Sequence, residues 1–216
     1  MKIKEAETQM KERPVISEAL KQEVRKYLSP VNLASQSANR IETLRSCSAE
    51  VHSFAQNIDE EYRGLKDSGE IVRHIASAKL DSFMNSPDFD SSVLSLALDT
   101  MVSFRGKMLG KASDEESARA MLLSFSAERQ DVVTGYALFV PEHGILTGSE
   151  HSSVFFNPLS PDDVSDYLAL GEWIGVAGSY RIQKNGWKLI DRIEGSWLNV
   201  VGLPLERLVS LLSSLH

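Results

Sequence analysis

An almost continuous apolar run over residues 93–104 sets the first limit on how this chain folds. The run continues on both sides of a single carboxylate, Asp99, and closes on an Arg105-Gly106 turn. A short apolar run bounded by a turn signal is typical of a strand buried inside a sheet. We therefore predict an interior strand followed by a hairpin turn, with Asp99 at the carboxyl end of its first apolar half.

Helical and strand-like patterns alternate along the rest of the chain. A short strand over residues 31–34 precedes serines that can cap a helix, and apolar residues repeat at helical intervals over 68–86. Strands are predicted over 132–140 and 145–156, with a tight turn between them, and Pro204 begins a last amphipathic helix. Capping sequences predict two further helices, one that starts at Ser113 and one that starts at Ser160 with Pro161 in its first turn. This interleaving of helices and strands predicts the α/β class.

Composition excludes several classes of protein. The 216 residues carry a formal net charge of -7, which argues against binding nucleic acid by neutralising its phosphates. One cysteine cannot form an internal disulfide, the first residues lack the apolar core of a secretory signal, and no apolar run reaches the roughly 18 residues of a membrane span. We expect a cytoplasmic protein with no nucleic-acid partner and no membrane contact.

Asp99 is the residue with the clearest functional pattern. A carboxylate that directly follows an apolar strand lies at the carboxyl end of that strand, where open α/β sheets usually bind ligands. A turn or capping aspartate is the alternative, because such aspartates are also common at strand ends. Thr100, which follows it, is open to the same two interpretations.

Four further residues near element boundaries have the chemistry to hold a phosphate chain, namely Ser37, Arg40, Lys79 and Lys111. Each has an ordinary alternative, such as a lysine stem lying along a helix or a solvated loop charge. Glu60 is most simply an exposed acidic residue. A glutamate and an aspartate converging on one site would nevertheless suit Mg²⁺, which prefers few carboxylates together with phosphates and water.

Several segments resemble the Maf family in order and spacing over residues 33–212, which is most of the chain. They are similar to the family patterns LASxSPRR, AxxK, DTVV, GKP, VxTG, AGAYxIQ and VGLPL. In this sequence they are Leu33-Ala34-Ser35-Gln36-Ser37-Ala38-Asn39-Arg40, Ala76-Ser77-Ala78-Lys79, Asp99-Thr100-Met101-Val102, Gly110-Lys111, Val132-Val133-Thr134-Gly135, Ala177-Gly178-Ser179-Tyr180-Arg181-Ile182-Gln183 and Val201-Gly202-Leu203-Pro204-Leu205.

The resemblance implies a fold and an activity. The fold is a mixed, bent central sheet flanked by helices, with two lobes and a cleft, and the activity is hydrolysis of a nucleoside triphosphate between its α and β phosphates. Asp99 falls on the family's proton acceptor. The family's phosphate- and metal-binding positions fall on Ser37, Arg40, Glu60, Lys79 and Lys111. The metal cofactor that the resemblance implies is Mg²⁺ or Mn²⁺. Asp99 acting chiefly as a metal ligand is the alternative role.

Three positions that mark base preference in the family fall on Asn39, Thr100 and Gln183. Thr100 and Gln183 match the branch that hydrolyses dTTP and UTP, whereas Asn39 stands where that branch has arginine. The resemblance is therefore closest to the dTTP/UTP branch. A preference for 7-methyl-GTP, or a nucleotide-binding regulator of cell division without turnover, are the alternatives.

The chain extends beyond the start of the family pattern. We predict a helical N-terminal extension over residues 1–29 and a nucleotide pyrophosphatase domain over 30–216. A homodimer is an expectation that follows from the resemblance alone.

Overall fold

The structure is a computed structural model that describes residues 8–9, 14–58 and 64–215. Its helices are α1 (Glu18–Tyr27), α2 (Ala38–Ser46), α3 (Ser68–Met84), α4 (Glu115–Ser124), α5 (Pro161–Leu168), α6 (Trp197–Val200) and α7 (Leu205–Ser213), with a 3-10 helix over Asn185–Leu189. Its strands are β1 (Thr8–Gln9), β2 (Val31–Leu33), β3 (Val51–Ser53), β4 (Leu94–Phe104), β5 (Lys107–Met108), β6 (Arg129–Val140), β7 (Gly144–Phe156) and β8 (Ile190–Glu194).

These strands form one mixed sheet in the order β1-β8-β7-β6-β4-β2-β3, with β5 paired to β4. The pairs of β2 with β3 and with β4 are parallel, whereas β8 pairs antiparallel with both β1 and β7. The predicted α/β class with a mixed sheet and flanking helices is confirmed. The predicted interior strand is β4, and its hairpin partner is β5.

The chain divides into two compact units. Unit 1 comprises Met1–Pro14, Met101–Val132 and His151–Val200, and unit 2 comprises Val15–Thr100, Val133–Glu150 and Val201–His216. Strands β4, β6 and β7 each contribute residues to both units.

In unit 2, α3 packs closely on the sheet. Its Ala76 and Leu80 form a buried cluster with Ala97 of β4 and Ala137 of β6. A methyl group at Gly135 of β6 would lie 2.6 Å from the backbone nitrogen of Arg73. Small residues at the contact therefore bring α3, which carries Lys79, close to the strands.

Unit 1 has its own aromatic core. Phe125 contacts Phe104 and Phe156 with ring centroids 5.1 and 5.2 Å apart, and Phe156 contacts Tyr180 at 5.2 Å. Burial raises the pKa of the Tyr180 hydroxyl above its ordinary value, because the ionised form would lose its hydration. This core is built from β4, the turn directly after α4, the end of β7 and the loop after α5.

Two helix starts in unit 1 were predicted from capping sequences. Ser160 caps α5 in a reciprocal capping box with Asp163, and Pro161 occupies the first turn, as predicted. For α4, the cap is Asp114 and not the predicted Ser113. The Asp114 carboxylate accepts hydrogen bonds from the backbone N–H and the hydroxyl of Ser117, whereas Ser113 contacts the Ser117 hydroxyl at 3.1 Å.

The predicted N-terminal extension contains α1 and β1 in its described part. β1 pairs with β8, so this part is not helical throughout, and α1 packs against α7. No helix in the described ranges is both long and apolar enough to cross a bilayer.

Candidate active site

The parallel pairing of β2 and β4 places the start of α2 beside the end of the apolar half of β4. Val31 and Leu33 are in register with Leu94 and Leu96, and the Ala34 backbone N–H donates to the Leu96 carbonyl at 2.8 Å. Chains leaving neighbouring parallel strands emerge at the same edge of the sheet. The loop over residues 34–37 therefore lies next to residues 97–100, all within unit 2.

Lys79 and Asp99 form an ion pair next to this loop. The prediction that Asp99 lies at the carboxyl end of its strand was wrong, because β4 continues to Phe104 after the paired strand β2 has ended at Leu33. The Lys79 ammonium donates to Asp99 Oδ1 at 2.8 Å, and the two side chains are 14% and 13% exposed. Side chains alternate across a strand, so Asp99 faces the same side as Ala97, which packs against α3. The predicted carboxylate and one predicted cation are thus brought into direct contact.

Arg40, in the first turn of α2, contacts β4 around Asp99 on the face opposite to Lys79. Its Nη1 donates to the Leu98 carbonyl at 3.0 Å and to Ser35 Oγ at 3.1 Å. Its Nε donates to the Gly202 carbonyl at 2.9 Å, and its Nη2 donates to Thr100 Oγ1 at 3.0 Å. The guanidinium thereby joins the β2–α2 loop, β4 and the loop before α7.

Thr100 and Gly202 complete this arrangement. The hydroxyls of Thr100 and Thr134 lie 3.0 Å apart, which links β4 to β6. Gly202 has φ +89, and a methyl group there would lie 3.0 Å from Thr100 Oγ1. The backbone of the loop before α7 therefore lies close to β4 at Thr100.

A small pocket of about 120 Å³ opens beside the ion pair. It is lined by Ala34, Ser35, Gln36, Gln56 and Lys79. The amides of the first turn of α2 follow directly in the chain, and such amides have no acceptor inside their own helix. A pocket with an ammonium group, amide side chains and a helix start nearby suits an anion such as a phosphate.

Two other predicted residues, Ser37 and Asn39, lie at the start of α2. In the described part of the chain, the Ser37 hydroxyl does not cap α2, although Ser37 precedes it and its backbone N–H donates to Ser35 Oγ at 3.3 Å. Asn39 is half-buried in the first turn of α2. Glu60 lies outside the described residues.

Lys111 and Gln183 belong to unit 1. Lys111 is exposed and forms an isolated bridge with Ala177, and the Gly178 N–H donates to the Gly110 carbonyl at 3.2 Å. The two segments that carry Lys111 and Gln183 are therefore joined within that unit. Their predicted roles stay predictions.

A larger cavity, of about 460 Å³, also lies in unit 1. Its walls include Leu159, Tyr167 and Leu189, and burial raises the pKa of the Tyr167 hydroxyl to about 12. None of the predicted site residues lines it. We place the chemistry at the smaller pocket, because Lys79 lines that pocket and is paired with the Asp99 carboxylate.

The donor set at this pocket fits a metal that is shared with substrate. Among the described residues, no three histidine, cysteine or acidic side chains converge on one point. Mg²⁺ is commonly held by one or two carboxylates together with substrate phosphates and water, and Asp99 supplies one carboxylate. One carboxylate beside an anion pocket therefore fits such a cation only together with oxygen atoms from a bound phosphate and water.

The sequence did not single out Ser35, Thr134 or Gln56 as site residues. Thr134 contacts Thr100 from 34 residues along the chain, and Ser35 accepts from Arg40 five residues on, contacts that only the fold reveals. Both Ser35 and Thr134 stand inside recognised motifs, and this is the signal that could have pointed to them. Gln56 lies in a segment with no recognisable pattern.

Comparison with known proteins agrees with this geometry. The family described as Maf-like protein matches residues 30–215. The dTTP/UTP pyrophosphatase of Pyrococcus furiosus is 37% identical over 88% of this chain and 97% of that protein. Proteins of the same name from Dictyoglomus thermophilum and Halalkalibacterium halodurans are 34% and 35% identical, over 85% and 86% of this chain and 94% and 95% of theirs.

Among solved structures, the Staphylococcus aureus Ham1 protein is similar at 15% identity with a TM-score of 0.38, over 59% of this chain and 72% of that chain. A likeness at that level carries no argument. The family match covers most of the sequence and includes Arg40, Lys79 and Asp99. The chain belongs to the Maf family.

Proposed function

We propose that this protein is a nucleoside triphosphate pyrophosphatase that hydrolyses dTTP and UTP to the monophosphate and pyrophosphate. The observation that carries the proposal is the Lys79–Asp99 pair, formed where β4 passes the end of β2, beside a pocket suited to an anion. Relatives named dTTP/UTP pyrophosphatase, similar over most of their length, support the substrate class.

In the proposed reaction, Asp99 accepts a proton from a water molecule. The water oxygen bonds to the α-phosphorus, the bond from that phosphorus to the α–β bridging oxygen breaks, and pyrophosphate leaves with the bridging oxygen. Asp99 is suited to this role because Lys79 fixes its Oδ1 and both side chains are mostly shielded from solvent. A carboxylate held in one position removes a proton from a bound water more readily than a mobile one.

Lys79 is suited to a second task, because it lines the pocket as well as binding Asp99. An ammonium group there offsets the negative charge that develops on the leaving pyrophosphate. Ser37 and the amides at the start of α2 follow the pocket-lining Ser35 and Gln36 in the chain and would donate to phosphate oxygens. Asp99, with Glu60, would hold Mg²⁺ or Mn²⁺, and such a cation polarises the phosphate oxygens when bound.

The test is pyrophosphate release from dTTP, UTP, CTP, 7-methyl-GTP and GTP in the presence of Mg²⁺ or Mn²⁺. Wild type is expected to release pyrophosphate from dTTP and UTP. Asp99→Asn keeps the shape of the side chain but not its basicity, and should lower kcat by at least about 10²-fold. Asp81→Asn, an exposed carboxylate on the helix that carries Lys79, is the matched control and should retain activity.

Reaction in ¹⁸O-water locates the bond that breaks. The label should enter the nucleoside monophosphate and not the pyrophosphate, because water attacks the α-phosphorus. Nucleotide binding without release from any of the five nucleotides would overturn the proposal in favour of a non-catalytic regulator. Release from 7-methyl-GTP alone would reject the proposed base preference, with Asn39 as the first residue to examine.

Mn²⁺ binding separates the two roles of Asp99. If Asp99 acts as the proton acceptor, Asp99→Asn should weaken Mn²⁺ binding in the presence of nucleotide by less than about 3-fold while kcat falls by about 10²-fold. A loss of Mn²⁺ affinity that equals the loss of kcat would identify Asp99 chiefly as a metal ligand. Electron paramagnetic resonance titration of Mn²⁺ measures the affinity directly.

A further inference from the structure

We propose, building on the function proposed above, that Arg40 is a positioning residue that fixes the segment of β4 carrying Asp99 and is not a ligand of the substrate phosphates. The sequence motif predicted a phosphate-binding arginine. The contacts of its guanidinium in the folded chain point to the different role.

The first argument is the use of its donors. An arginine side chain has five N–H groups. Four of them are directed at protein acceptors at 2.9–3.1 Å, two at backbone carbonyls and two at hydroxyls. No pair of N–H groups remains for the two-pronged grip with which arginine binds a phosphate.

The second argument is where those acceptors lie. The Leu98 carbonyl and the Thr100 hydroxyl are the groups immediately before and after Asp99 in the chain. Because successive side chains point to opposite faces of a strand, Arg40 binds Thr100 on one face and Lys79 binds Asp99 on the other. Arg40 therefore holds the backbone from which the Asp99 side chain projects.

The third argument is the glycine that closes the arrangement. The Gly202 carbonyl accepts from Arg40 Nε, and a methyl group at Gly202 would lie 3.0 Å from Thr100 Oγ1 and 3.6 Å from Arg40 Nη2. The loop before α7 thus packs directly against the side chains of Thr100 and Arg40. Such close packing around one guanidinium favours a fixed arrangement over a mobile ligand-binding arginine.

Arg40→Lys tests the proposal, because lysine keeps the charge but cannot make four directed hydrogen bonds. We expect kcat for dTTP to fall by about 10- to 100-fold while KM changes by less than about 3-fold, since small displacements of a catalytic group mainly slow the chemical step. Arg45→Lys, an exposed arginine on the same helix, should leave both parameters unchanged. A KM raised at least about 10-fold with kcat retained would overturn the proposal and restore the phosphate role.

Thr100→Val tests the connection through one acceptor. It removes the hydroxyl that Arg40 binds while keeping the side-chain shape, and should lower kcat less than Arg40→Lys does. The double variant should lose no more than about 3-fold beyond Arg40→Lys, because residues that act through one another are not additive. Fully additive losses would overturn the proposed path.

Hydrogen–deuterium exchange gives a readout that does not depend on turnover. Backbone amides of residues 94–100 should exchange faster in Arg40→Lys than in wild type, with no change in Arg45→Lys. Unchanged exchange would refute the positioning role even if activity falls. If wild type releases no pyrophosphate, the proposed function fails, and the exchange measurement still decides the role of Arg40 on its own.

Discussion

Two side chains of opposite charge, Lys79 and Asp99, pair with each other beside the anion pocket. Lys79 and Asp99 are mostly shielded from water, at 14% and 13% exposure, and lie 2.8 Å apart. Removing one partner of such a pair leaves the other ionised in a poorly solvated place, which costs more than the pair itself contributes. Removing both side chains together therefore measures the contribution of the pair to stability better than removing either one alone.

Lys79→Met should lower the free energy of unfolding by about 1–3 kcal/mol, because it leaves the Asp99 carboxylate without this cation. Adding Asp99→Asn to that variant should recover part of the loss, since no shielded charge then stands alone. Urea unfolding of the two single variants and the double variant measures this coupling. Simple additivity of the two losses would show that the pair does not stabilise the fold.

The exposed pair of Lys21 and Glu18 is the matched control. Its atoms lie 2.6 Å apart, but the Glu18 side chain is 80% exposed. Water already solvates such charges, so Lys21→Met should change the free energy of unfolding by less than about 1 kcal/mol. A similar loss at both pairs would mean that shielding from water is not the cause.

Sequence could predict which of these residues matter, but not how they meet. Asp99 was identifiable because an apolar run breaks at it, and Lys79 because it stands at a motif position. Their contact joins a helix and a strand twenty residues apart in the chain, as the fold brings them together. Arg40 shows the limit, since a motif predicts its position while its acceptors at Leu98, Thr100 and Gly202 depend on tertiary packing.

Secondary-structure elements were predictable where their local chemistry decides them. The turn after β4, the β6–β7 hairpin and the capping box of α5 all depend on neighbouring residues. The edge strand β1 was missed, because two residues with no apolar pattern become a strand only by pairing with β8. The order of strands was equally beyond local pattern, since β4 lies between β2 and β6 through long-range pairing.

The contact of α3 with β6 sets how close Lys79 comes to the sheet. Gly135→Ala would place a methyl group against the Val72 carbonyl and 2.6 Å from the Arg73 nitrogen, so α3 must shift. We expect a loss of about 1–3 kcal/mol in the free energy of unfolding, together with lower kcat, because α3 carries Lys79. Thermal unfolding and the pyrophosphate assay measure the two effects.

Gly110→Ala is the control for that substitution. A methyl group at Gly110 meets no atom within 4 Å in the described part of the chain, and its φ lies outside the left-handed region. The free energy of unfolding should therefore change by less than about 0.5 kcal/mol. Equal destabilisation at both glycines would show that crowding of α3 is not responsible.

The molecule as a whole carries an excess of acidic groups, with a net charge of -7. Three of these carboxylates, on Asp90, Asp114 and Asp163, cap turns or helix starts. Hydrogen bonds from neighbouring serine hydroxyls and backbone N–H groups hold the pKa of each below its ordinary value. These groups link the stability of the whole fold to pH.

The sign of that link follows from proton binding. The folded chain keeps these carboxylates ionised at a pH where the unfolded chain, with ordinary values near 3.9, already binds protons. Their contribution to stability is thus complete well above pH 4 and is lost as the pH falls through the lowered values of the folded state. Urea midpoints measured at pH 7, 5, 4 and 3 should therefore fall most steeply below pH 4.

A variant with asparagine at all three positions separates these groups from the other carboxylates. Asparagine caps helices nearly as well as aspartate but does not titrate, so the variant should fold at pH 7 and lose less stability than wild type between pH 5 and pH 3. Exposed aspartates that cap no helix, such as Asp81, provide the control, and Asp81→Asn should follow the wild-type curve. If the triple variant falls as steeply as wild type, the acid sensitivity originates elsewhere in the molecule and the serine-bound caps contribute nothing to it.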